Sequence, residues 1–266
     1  MIQPQRETLG LGNALQQLSA LSLKFTTANG VGRLAQHGDV HAAKLFRGLR
    51  ALRAGSRLKT IEKMCGSEIV ETVRAEILGE PGVAVVSEVK CSQTLYDDIA
   101  KHGGKPVMWK TGHSLIKAKM KEEHAAIAGE MSGHFFFAHR YLGYDDAIYA
   151  AVRLLEIVAR ATTPLSTLLS DVPVTYTTPE LRVDCPDEHK FAVVKRVTEK
   201  YRATHEVIDI DGARILFEGG WGLVRASNTG PVLVLRFEAN TAERLAELRA
   251  EVEGSVQAAR KAVAGK

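Results

Sequence analysis

The stretch from Trp221 to Glu238, WGLVRASNTGPVLVLRFE, sets one guanidinium, two hydroxyls and an amide between two apolar runs. Arg225, Ser227, Asn228, Thr229 and Gly230 together offer a planar fork of N–H donors, side-chain donors and exposed backbone amides, the donor set that a dianionic phosphate needs. A second cluster, GEMSGH at 129–134, places Glu130, Ser132 and His134 between glycines. A carboxylate that accepts and a hydroxyl that donates suit the hydroxyls of a sugar. Two further segments carry basic groups: SEVKCS at 87–92 contains Lys90, and WKTGHSLIK at 109–117 contains Lys110 and His113. Phosphate and sugar recognition in one chain points to a sugar phosphate.

The elements that must position these groups are readable from periodicity. AVVSEV reads as a short apolar strand, QTLYDDIAKH as a helix, GGKP as a turn, VMW as a strand and SLIKAKMKEE as a helix with a cationic outer face. AAIAGEM is a third strand running into GEMSGH, FFF follows, and YDDAIYAAVRLLEIVARA reads as a long helix with Asp145 and Asp146 in its first turn. The order is β-α-β-α-β-α, an open layered α/β unit. In such sheets ligands gather beyond the carboxyl ends of the strands, where Lys90, the 110–113 segment and GEMSGH fall. Regular patterning lapses between Thr162 and Pro179, where prolines mix with Ser and Thr, and a domain boundary is expected there. Beyond it come a strand at ELRVDC, a helix at DEHKFAVVKRVTEKYRAT, strands joined by DG and GG turns, the strand PVLVLRFEA and a last helix. That order predicts an antiparallel sheet covered by two helices.

Composition bounds the rest. With 266 residues, 45% apolar and 25% charged, the chain can bury one large or two modest cores. Three widely spaced cysteines, Cys65, Cys91 and Cys185, indicate neither a disulfide framework nor a zinc site and fit a reducing cytoplasm. No apolar run reaches the roughly 18–20 residues of a membrane span, so no membrane partner is expected. Net charge is +4, but residues 1–66 hold ten Lys/Arg against three Asp/Glu, so this opening is basic. It lacks aromatic interleaving or a recognisable binding motif, and nucleic acid is not an expected partner. The pairs Asp145/Asp146 and Asp209/Asp211 are set aside as metal ligands, because neither gathers three oxygens at a point as Mg²⁺ requires.

These motifs resemble the α-D-phosphohexomutase family, in its phosphomannomutase/phosphoglucomutase branch. The resemblance covers roughly residues 80–260 and matches the carboxyl-terminal half of a full-length member. It implies a layered α/β phosphoglucomutase-type domain over 69–165, carrying the sugar-binding loop. A TATA-box-binding-protein-like α+β domain over 173–264 would follow, carrying the phosphate loop, with 1–68 left as an unassigned basic leader. By resemblance, Arg225, Ser227, Asn228 and Thr229 bind the phosphate that is not transferred, Glu130 and Ser132 hold two ring hydroxyls, and His134 completes that motif. Lys90, which by composition alone reads as a surface lysine at a strand end, would approach the reacting phosphate. His113, by composition a helix cap, would place phosphate or hydroxyl. Gly230 stands where family members commonly carry Thr or Glu.

The implied activity moves a phosphoryl group between the 1- and 6-positions of mannose or glucose phosphate. In the family this uses a phosphoserine in T-A-S-H-N-P, Mg²⁺ on D-G-D-G-D-R and glucose 1,6-bisphosphate as activator. Neither motif occurs in this chain, and Ser19, Ser22, Ser56 and Ser67 lack the loop context. The expectation is a truncated, cytoplasmic family member that binds hexose phosphate but is inactive alone. The alternatives are a non-catalytic sugar-phosphate-binding module or half of a split enzyme needing a complementing chain.

Overall fold

The computed structural model describes residues 82–160 and 170–265. The basic leader, Cys65, the candidate serines and the start of the first expected domain lie outside the described residues.

The first sheet grows from β1 (Ala84–Glu88), β2 (Lys105–Trp109) and β3 (Ile127–Gly129), followed by β4 (Phe135–Phe137) and β5 (Tyr144–Asp145), in the order β2-β1-β3-β4-β5. β1 pairs in parallel with both β2 and β3, while β4 and β5 turn back antiparallel. Because side chains alternate along a strand, β1 feeds two cores. Val85 joins Leu95, Tyr96 and Ile99 of α1 (Gln93–Lys101), whereas Ala84 and Val86 join Ile116 and Met120 of α2 (His113–Glu122). The apolar positions of α1 and α2 recur at three- and four-residue spacing, so each helix lays one stripe on the sheet. Ser92 caps α1 by accepting from the N–H of Thr94.

The chain after Phe137 departs from the sequence expectation. Asp145 lies on β5, paired with Phe136, and not in the first turn of a helix. α3 (Ala147–Arg160) begins after Asp146, whose carboxylate accepts from the N–H groups of Ile148 and Tyr149 at 2.9 Å each. Asp146 therefore satisfies the helix's free donors from outside it, and the residue before it is released to extend the sheet.

The second sheet contains β6 (Tyr176–Thr177), β7 (Leu181–Asp184), β8 (Val207–Ile208), β9 (Ala213–Phe217), β10 (Gly220–Ala226) and β11 (Val232–Ala239). Its order is β6-β11-β10-β9-β8, with β7 also on β11, and every pairing is antiparallel. α4 (Asp187–Arg202) and α5 (Ala242–Ala264) cover one face, burying Val193, Val197, Val252 and Val256 against Ile215, Val224, Leu235 and Phe237. The layered α/β and α+β arrangements expected from the sequence both form.

The opposite face of β10 meets the first sheet. Trp221 and Leu223 pack with Val89, just past β1. Arg214 of β9, with no exposed surface, donates to the carbonyls of Val89 at 2.6 Å and Cys91 at 2.9 Å and to Oε1 of Gln93 at 3.1 Å. Its guanidinium lies 3.7 Å over the Trp221 ring. Glu238 accepts from the Trp221 indole N–H and from the N–H of Gln93, both at 2.9 Å. Hydrogen bonds to charged groups stabilise by about 1.5–3 kcal/mol each, so this junction holds the end of β1 firmly to the second sheet.

Candidate functional site

The carboxyl end of β1 delivers two ionisable groups on the same side of the sheet, Glu88 and Lys90. Glu88 is fully buried; the Thr111 hydroxyl and the Met131 N–H donate to its carboxylate. Burial raises its pKa above the ordinary carboxylate value, against the opposing pull of Lys90 and those two donors. Lys90 is 6% exposed, with Nζ 3.4 Å from Glu88 and 3.2 Å from Glu180. Burial alone would lower its pKa, but the two carboxylates outweigh this and raise it, so the ammonium stays charged. The plain reading of Lys90 as a surface lysine does not hold: it is a buried cation at the strand end. Glu88 and Glu180 escaped the sequence reading. A carboxylate at the inward position of an apolar strand was the one available signal for Glu88; Glu180, in a proline-bearing connection, gave none.

Glu130 follows β3 and is 5% exposed. Its Oε1 accepts from the N–H of Gly112 at 3.1 Å and its Oε2 from the Ser132 hydroxyl at 3.2 Å. The loop closes on itself through Glu130 N–H to His134 O and Gly133 N–H to Glu130 O, both 2.9 Å. Each carboxylate oxygen can accept twice, so the pair retains capacity for ligand hydroxyls. His134, just before β4, sets Nδ1 2.7 Å from Asp145 Oδ2, which accepts, and His113, the first residue of α2, reaches the same oxygen at 3.6 Å. The two imidazoles meet edge to face, 4.1 Å between ring centres.

In the second sheet the phosphate-type loop connects β10 to β11. Arg225 is 5% exposed and sets Nε 3.1 Å and Nη2 3.0 Å from Asp211 Oδ2. Asp211 thus orients one edge of the guanidinium, which carries five N–H donors in all. Ser227 Oγ accepts from the N–H of Thr229 at 3.2 Å, and Asn228 and Thr229 are exposed at the tip. Lys190 of α4 was also missed. Its buried Nζ donates to the carbonyls of Ser227 at 2.7 Å and Gly230 at 3.2 Å and pairs with Asp187 at 2.6 Å. By drawing those carbonyls toward the helix, it holds the loop from behind.

The two loops are connected. Thr111 N–H donates to Asp211 Oδ2 at 3.0 Å, and the adjacent Gly112 N–H donates to Glu130. A continuous path therefore runs from Glu130 through the Thr111–Gly112 peptide to Asp211 and Arg225. The structure brings Lys90, Glu130, Ser132 and Arg225 to one junction between the sheets, with His113 and His134 beside Glu130 on the first.

The metal expected from the resemblance finds no matching cage among the described residues. The cluster that could gather three ligand atoms, His113, His134 and Asp145, offers two imidazoles and one carboxylate. Mg²⁺ calls for oxygen ligands in near-octahedral geometry, which this set does not supply.

Comparison with known proteins agrees with the architecture. Residues 66–176 match "Phosphoglucomutase/phosphomannomutase, alpha/beta/alpha domain III" and residues 180–255 match "Phosphoglucomutase/phosphomannomutase, C-terminal domain". A phosphomannomutase/phosphoglucomutase of Pseudomonas aeruginosa is 45% identical over 179 residues, which is 67% of this chain and 39% of that protein. A phosphoglucomutase of Neisseria gonorrhoeae is 46% identical over 164 residues, covering 60% of this chain and 35% of that one. The crystal structure of a phosphoglucomutase/phosphomannomutase family protein from Burkholderia thailandensis superposes with a TM-score of 0.65 at 39% identity, over 73% of this chain and 41% of that one. The N-acetylphosphoglucosamine mutase of Aspergillus fumigatus, at 15% identity and a TM-score of 0.52 over 76% of this chain and 43% of that one, shares the fold. The chain thus spans well under half the length of the relatives it matches. With both of its described sheets matched, the chain belongs to the phosphoglucomutase/phosphomannomutase family.

Proposed function

We propose that the junction between the two sheets binds a hexose monophosphate, phosphate on the 225–229 loop and sugar hydroxyls on Glu130 and Ser132. The observation that carries this reading is the hydrogen-bonded path from Glu130 to Arg225, which keeps a hydroxyl-binding carboxylate and a phosphate-binding guanidinium in one preorganised frame. Lys90, buried and kept charged by Glu88 and Glu180, supplies a fixed positive group beside them. His113 and His134 stand next to Glu130, where His113 would help place phosphate or hydroxyl and His134 completes the sugar loop. Sugar-phosphate ligands are named for a fold relative: the Aspergillus fumigatus mutase was solved with glucose 1,6-bisphosphate and with GlcNAc-6P and magnesium.

In this reading the chain alone binds without turning over. Phosphoryl transfer in a phosphohexomutase needs a phosphorylated nucleophile, and this sequence carries neither that serine loop nor the acidic metal loop. A complementing chain bearing both would complete the cleft. The test combines calorimetry with mannose 1-phosphate and mannose 6-phosphate and a turnover assay containing Mg²⁺ and glucose 1,6-bisphosphate. Saturable binding without conversion is the expected result, and mutase activity on adding a fragment with the serine and metal loops is expected for the split enzyme. No binding of any hexose phosphate overturns the assignment.

A further inference from the structure

We propose that His113, His134 and Asp145 form a site for a borderline divalent cation such as Zn²⁺, on the rim of the first sheet and separate in chemistry from any magnesium centre. The three potential ligand atoms all lie within 4.8 Å of one another. His134 Nδ1 and His113 Nδ1 stand 2.7 Å and 3.6 Å from the same Asp145 oxygen. In a tetrahedral zinc site with bonds of about 2.0–2.1 Å, neighbouring ligand atoms sit about 3.3 Å apart, a spacing the observed contacts bracket.

The convergence is imposed by the fold. His113 opens α2, His134 ends the loop before β4, and Asp145 sits on β5 opposite Phe136. The sheet register places the carboxylate, Phe136 braces the His113 ring at 5.6 Å between centres, and the imidazoles already meet edge to face at 4.1 Å. Binding therefore starts from ligand atoms that the fold already holds within 4.8 Å of one another. His134 and His113 keep 42% and 44% of their side-chain surface and Asp145 27%, so an ion and its water can enter from solvent. Two imidazoles and one carboxylate with an open position match three-ligand zinc sites, and the same set disfavours Mg²⁺. The sequence reading sets Asp145 aside because its pair with Asp146 does not gather three oxygens for Mg²⁺, an objection that does not apply to a site of two imidazoles and one carboxylate.

The test is metal titration of the full chain by calorimetry, with Co²⁺ as an optical probe for tetrahedral nitrogen ligation. Other histidines and cysteines in the chain can also take up Zn²⁺, so the readout is a difference between proteins. Wild type is expected to bind one more equivalent of Zn²⁺ than His113→Ala/His134→Ala or Asp145→Asn, and Mg²⁺ at the same concentration is expected not to reproduce it. Equal stoichiometry in wild type and the double variant overturns the proposal. Should a variant misfold, imidazole resonances in the wild-type protein decide. His113 and His134 must shift together as Zn²⁺ saturates, and resonances that stay fixed while the ion binds elsewhere overturn it equally.

Discussion

Thr111 and Asp211 join the two sheets through a backbone N–H to carboxylate bond of 3.0 Å, and the same Asp211 carboxylate orients Arg225. The 111–112 segment, whose Gly112 N–H also donates to Glu130, and the phosphate-type loop consequently share one acceptor. Asp211→Ala removes the shared point while leaving the donors of both loops in place. Hexose-phosphate affinity is expected to fall about tenfold, equivalent to about 1.4 kcal/mol. Inorganic phosphate, which needs only the second loop, is expected to lose less, and calorimetry with both ligands checks the difference.

Lys190 contacts no proposed ligand, yet its ammonium holds the Ser227 and Gly230 carbonyls. Lys190→Met is expected to weaken phosphate binding by about tenfold, since a loop released from its support must be ordered by the ligand. A fall in affinity alongside an unchanged far-ultraviolet spectrum and a small shift in melting temperature separates this from general unfolding.

The Glu88–Lys90 pair gives a signed pH dependence. In Lys90→Met, fully buried Glu88 loses its counter-charge, and its already raised pKa climbs further. A carboxyl whose folded pKa exceeds its unfolded value takes up a proton on folding, so stability is greatest below the unfolded value of 4.5 and declines as pH rises toward the folded value. Breaking a buried pair costs about 3–5 kcal/mol. Urea unfolding is expected to show most of this loss at pH 8 and much less at pH 5, and Glu88→Gln in the same background is expected to flatten the profile.

Gly212 turns the chain immediately after Asp211 with φ at +94°, and a Cβ there would lie 2.5 Å from the carbonyl oxygen of Val224. Gly212→Ala adds a left-handed strain of about 1 kcal/mol or more to an overpacking cost of about 1–3 kcal/mol. Urea titration is expected to show a loss of about 2–4 kcal/mol, with Arg225 displaced because its Cβ and Cα are the next nearest atoms, at 2.6 Å and 2.7 Å.

How far the sequence could be read follows from the range of the interactions involved. Strands β1 and β11 were legible because AVVSE and VLVLRFEA are apolar runs bounded by turn residues, and α4 and α5 because their helical patterning is long. The strand character of Asp145 was hidden: Tyr144 and Asp145 acquire it only by pairing with Phe137 and Phe136, and the following helix masks so short a strand. The candidate site divides in the same way. Its loops announce themselves as compact local motifs, whereas Glu88, Glu180, Lys190 and Asp211 gain their roles from partners 23 to 100 residues away along the chain. Single-sequence periodicity does not encode such separations. Asp211 in particular reads as an ordinary turn residue of IDIDG until β9 and β10 fold it onto Arg225.

The guanidinium of Arg214, sandwiched under the Trp221 ring and clasping the Val89 and Cys91 carbonyls, also bears on how this pair of domains can be handled. Severing the chain between them would leave the downstream piece with a cation stripped of its carbonyl acceptors and an indole stripped of Val89, and the upstream piece with two carbonyls that have lost their shared donor. Neither fragment is a clean excision product. Recombination, fusion or directed shuffling of this region should treat the two sheets as a single cassette.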